Sequence, residues 1–228
     1  TAADGRVLAR ETIPFPADQT SLSHNLRLPA ELRNTVTRLQ IENESSAAAT
    51  VLLDEAWRRR PVGLVGSSGA DQPLLGEVFY LKRALGPFAE VREGDISALI
   101  TQGVAMIVLA DIGNLSAELQ QKLTAWMEQG GMLLRFAGEN LANAPDDLLP
   151  VKLRHGERDL GGALSWTTPL GLRGFPPETP LAGLPVPTDI LVKRQVLAEP
   201  TADLSSYIWA NLSDGTPLIT GKAVGKGW

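Results

Sequence analysis

The residues with the strongest claim to chemistry are a serine pair, two acids and an asparagine, each placed where an apolar run gives out. Gly66-Ser67-Ser68-Gly69-Ala70-Asp71 follows the run Val62-Gly63-Leu64-Val65 and precedes a stretch of helical spacing, so amides opening that helix could hold an anion. The segment has neither the lysine of a phosphate loop nor the glycine spacing of a dinucleotide fingerprint, and a plain turn is the competing reading. Asp111 ends the run Val104-Ala105-Met106-Ile107-Val108-Leu109-Ala110 and opens Asp111-Ile112-Gly113-Asn114. Glu139 lies just past the run Met132-Leu133-Leu134-Arg135-Phe136. Two carboxylates near one sheet edge suit acid–base work or a magnesium ion, although acids at strand ends often serve only as helix caps. Ser67, Ser68, Asp111, Asn114 and Glu139 are therefore the candidate ligand-binding residues, because open α/β sheets place their crevices at the carboxyl ends of strands.

Other chemistry is removed by composition. The 228 residues include no cysteine, which excludes disulfides, thiolate–metal sites and every cysteine nucleophile. The two histidines are His24, in an extended N-terminal stretch, and His155, in Arg154-His155-Gly156-Glu157. Both read as surface residues, so a serine triad lacks its base and a histidine-dependent metal site lacks its ligands. No catalytic residue, cofactor or metal is assigned. A formal charge of −5 and a pI near 5.1 give no basic field, and Arg58-Arg59-Arg60 suits a solvated element end better than a nucleic-acid patch. No apolar run approaches the roughly 18–20 residues that span a bilayer, and no signal segment opens the chain, so direct bilayer insertion is not expected. Trp57, Trp126, Trp166, Trp209 and Trp228 fall in unrelated segments and read as packing residues rather than a stacking platform.

The elements that must position these residues follow from periodicity. Residues 1–59 read as a β-rich segment, fit to be part of a β-sandwich, from the alternation in Ser21-Leu22-Ser23, Leu26-Arg27-Leu28 and Thr37-Arg38-Leu39-Gln40-Ile41-Glu42. Ala47-Ala48-Ala49-Thr50-Val51-Leu52-Leu53 suits a strand at least as well as a helix. From Pro61 the pattern becomes strand, helix, strand, helix, strand. It comprises the run 62–66, a helix carrying Leu74 to Leu85, strand 89–93, a short amphipathic piece 96–100, and the central strand 104–110. A helix capped by Ser116 and closed by Gly130-Gly131 then leads into strand 132–136. Short connections between such elements imply a parallel sheet built by right-handed crossovers. Beyond Asn143 the chain is loop-rich, with a strand expected at 190–197 and a hairpin over 207–220 around Ser213-Asp214-Gly215.

Three of these pieces carry a resemblance: the Asp-ended strand Met106-Ile107-Val108-Leu109-Ala110-Asp111; Trp126-Met127-Glu128-Gln129-Gly130-Gly131-Met132-Leu133-Leu134; and Asp214-Gly215-Thr216-Pro217-Leu218-Ile219 with Gly225-Lys226-Gly227. Residues 60–228 are similar to the class I glutamine amidotransferase-like domains embedded in large bacterial membrane proteins. Those proteins carry an aerotolerance-regulator (BatA-type) N-terminal membrane region and a C-terminal domain of unknown function. The resemblance implies a flavodoxin-like parallel sheet with helices on both faces, here truncated at its C-terminus, following the N-terminal β-strand segment. In active members a cysteine sits on a sharp strand-to-helix elbow. Here Leu134-Arg135-Phe136-Ala137-Gly138-Glu139 stands at that elbow, and neither Phe136 nor Ala137 can attack a carbonyl. The resemblance therefore implies a non-catalytic structural or protein-interaction domain, the soluble portion of a membrane-anchored protein. Its expected partners are other domains of the same parent or a membrane-associated complex, and nucleic acid is not among them. The alternative is a small-ligand sensor that binds an anion or sugar at the carboxyl edge of the sheet. The ends, Thr1-Ala2-Ala3 and Gly225-Lys226-Gly227-Trp228, suggest a piece cut from a longer polypeptide, with Trp228 beginning a strand.

Overall fold

The computed structural model describes residues 1–26, 28–54, 60–66, 77–155, 158–159 and 168–228. They form two units, residues 1–60 with 88–90, and residues 61–87 with 91–228.

In the first unit a short helix α1 (Ala30–Arg33) precedes strands β1 (Arg38–Gln40) and β2 (Thr50–Leu52). The strands pair antiparallel, with Leu39 opposite Val51. The ambiguous alanine run resolves into both readings, a 3-10 turn over Ala47–Ala49 and then β2. The alternating stretch 21–23 forms no strand, and Leu22 and Leu26 are exposed, while Arg27 of the second stretch lies outside the described residues. Alternation alone cannot make a strand without a neighbouring edge to pair with. Val36 and Ala49 are the buried hydrophobics among the described residues of this unit.

The second unit opens with β3 (Pro61–Gly66), α2 (Glu77–Leu85), β4 (Glu90–Glu93), α3 (Ile96–Thr101) and β5 (Met106–Ala110). It continues with α4 (Ala117–Glu128), β6 (Met132–Phe136) and a short α5 (Glu139–Asn143). A four-stranded parallel sheet of order β4-β3-β5-β6 results, so the α/β architecture expected from the sequence is present. Strand parity divides its faces. Ile107 and Leu109 join Leu99, Val104, Leu115 and Leu123 in one apolar cluster beneath α3 and α4. Val62, Leu64 and Val108, of the opposite parity, are buried on the other face. There Gly66 lies directly against Val78 of α2, leaving no room for a side chain. Gly63 plays the same part on the first face, where a Cβ would stand 2.9 Å from the Leu99 side chain.

Local signals start and stop these helices as the sequence indicates. Asp95 caps α3 by accepting from the Ala98 N–H at 3.0 Å, and Ser116 caps α4 by accepting from the Leu119 N–H at 3.3 Å. Glu118, in the first turn of α4, pairs with Lys122 one turn on, and that hydrogen bond and charge hold its carboxyl below the usual range. Gly130 then takes φ 115°, a conformation that ends the helix at little cost only for glycine.

The remainder is irregular. Strand β7 (Arg158–Asp159) pairs with β8 (Arg194–Gln195), and β9 (Ile208–Asn211) forms a hairpin with β10 (Pro217–Thr220). The strand expected over 190–197 is shorter, reduced to β8 with isolated bridges at Val192 and Ala198. Gln195 is buried and joins this region to the hairpin, donating to the Pro217 carbonyl at 2.8 Å and accepting from the Thr216 hydroxyl at 3.3 Å.

Leu123 is fully buried at the centre of the α3–α4 cluster. Leu123→Ala is expected to lower the unfolding free energy by about 2–5 kcal/mol in urea titration, and a loss below about 0.5 kcal/mol would show that the cluster is not the core.

Candidate functional site

Strand order reverses between β3 and β5, whose carboxyl ends are Gly66 and Ala110, the residue before Asp111. In an open α/β sheet that switch point is where a crevice forms. Of the candidate residues, Ser67 and Ser68 lie outside the described residues, while Asp111, Asn114 and Glu139 are all placed.

Asp111 takes φ 46°, a left-handed conformation that turns its carboxylate across the end of the sheet. Its Oδ1 accepts from the N–H groups of Gly138 and Leu141, both at 2.9 Å, and Oδ2 accepts from the N–H of Asn140 at 3.2 Å. These are amides at the opening of α5, which Gly138 itself cannot cap because it has no side chain. A carboxylate from another strand therefore performs the capping, with the helix dipole favouring its charge. Close approach is enforced sterically, since a Cβ on Gly138 would stand 2.7 Å from Asp111 Cγ.

The connection after Asp111 is tied to the same helix. Gly113 runs against the Asn140 carbonyl, where a side chain would collide, and the Asn114 N–H donates to the Ala144 carbonyl at 3.0 Å. Asn114 also adopts a left-handed conformation, φ 54°. Its contribution here is made by backbone, and its side chain is exposed. Glu139 is exposed in the first turn of α5. The geometry thus brings Asp111, Asn114 and Glu139 to one helix, with both oxygens of Asp111 engaged by peptide groups. Oδ1 is shared by two amides, whereas Oδ2 takes one longer bond.

Beside this cap lies an ion pair that the sequence reading did not single out. Arg135, on β6, reaches Asp146 at 2.5 Å, and the two side chains are only 6% and 3% exposed. Its second terminal nitrogen donates to the Ile112 carbonyl at 2.6 Å, and Asp146 also accepts from the Leu148 N–H at 3.1 Å. Arg135 therefore clamps the β5–α4 loop and the segment after α5 onto β6. Arg135 Nε and Asp146 Oδ2 meet no hydrogen-bond partner among the described residues, so the pair is incompletely compensated for its burial. One signal for it was present: a single arginine within the otherwise apolar run Met132-Leu133-Leu134-Arg135-Phe136.

His24 pairs with Glu11 at 2.9 Å on the surface, and His155 is exposed. Among the described residues no cluster of acids and histidines could hold a metal ion. Two shallow grooves of about 360 and 450 Å³ run along α4, one past Lys122 and Trp126 and the other past Thr124 and Asp147. Asp111, Asn114 and Glu139 line neither. No protein-family model matches the chain, and no curated protein matches it.

The Arg135–Asp146 pair yields a double-mutant test. Asp146→Asn, which strands a buried guanidinium, is expected to cost about 3 kcal/mol of unfolding free energy, whereas Arg135→Met combined with Asp146→Leu should recover most of that loss. If Asp146→Asn costs less than about 0.5 kcal/mol, the clamp does not operate.

Proposed function

We propose that the chain is a non-catalytic structural and protein-interaction domain of a membrane-anchored bacterial protein, with an amidotransferase-like, flavodoxin-like fold lacking the catalytic cysteine. The single observation that carries this reading is the commitment of Asp111, the acid at the switch point, to the opening amides of α5. The elbow position adds to it: Phe136, Ala137 and Gly138 join β6 to α5 and offer no nucleophile. Strand order supports the flavodoxin-like assignment, since the second strand flanks the first and the third and fourth follow on its other side. Among the described residues no helix is long and apolar enough to cross a membrane.

An interaction role is favoured by surfaces that a solitary domain would bury. In the first unit the cross-strand pair Leu39 and Val51 is exposed, together with Ile41 on the same face. A two-stranded ribbon with an open apolar face is marginal alone and gains stability when another layer covers it.

The purified chain is expected to turn over neither glutamine nor peptide substrates. In a thermal-shift screen of metabolites, nucleotides and glycans, none should produce the roughly 2.7 kcal/mol stabilisation that a ligand at a hundred times its Kd would give. Turnover abolished by Asp111→Ala or Glu139→Ala would overturn the reading.

A further inference from the structure

We draw no further inference here: the strongest candidate, the exposed apolar row of Met132, Leu134 and Phe136 on one face of the edge strand β6, is an unpartnered sheet face, and nothing in the structure shows what covers it.

Discussion

A carboxylate at the end of a sheet can serve a substrate or hold a helix, and Asp111 holds a helix. Its two oxygens take up amides of Gly138, Asn140 and Leu141, donors at a helix opening that would otherwise lack partners. The rest of the carboxyl edge depends on that capture. Gly138 has no side chain because Asp111 occupies the space, Gly113 has none because α5 packs against it, and the loop between them closes through the Asn114 and Ala144 backbones. On the β5–β6 side of this edge the protein's own groups thereby fill the space.

Arg135 secures the filling from the neighbouring strand. Holding the Ile112 carbonyl and the Asp146 carboxylate together, it ties segments from both sides of α5 to the sheet. A buried charge pair with unmatched polar atoms is a poor source of net stability, but it defines one arrangement of the loops. At the opposite end of β6, Gly225, Gly227 and the Trp209–Trp228 contact set the course of the chain.

The parts of the fold legible from sequence were those fixed by short-range patterns. Strand β5 declared itself through an unbroken apolar run, and α4 through Ser116, Gly130 and the spacing of Leu119, Leu123 and Met127. What required partners distant in the chain was hidden. The alternation at residues 21–23 describes an exposed coil, with no strand alongside it among the described residues. Among the described residues the run 190–197 keeps Arg194–Gln195 in a ladder with β7 and Val192 in a bridge to Leu170. At the site, sequence placed Asp111, Asn114 and Glu139 at the right edge of the sheet but could not tell a ligand-facing carboxylate from one facing amides of α5, about 27 to 30 positions on. The Arg135–Asp146 clamp depends on how a loop folds back over 11 positions, which no local pattern encodes.

The first unit presents the complementary case, with periodicity sufficient to form β1 and β2 and too little enclosed apolar surface to bury them. The most direct measurement is the equilibrium unfolding free energy of Asp111→Ala against the parent chain in urea. Residues kept for chemistry are commonly neutral or stabilising to remove, whereas loss of a charged cap to several amides costs about 2 kcal/mol. A decrease of about that size is predicted, and a variant as stable as the parent or more so would contradict the structural role of Asp111.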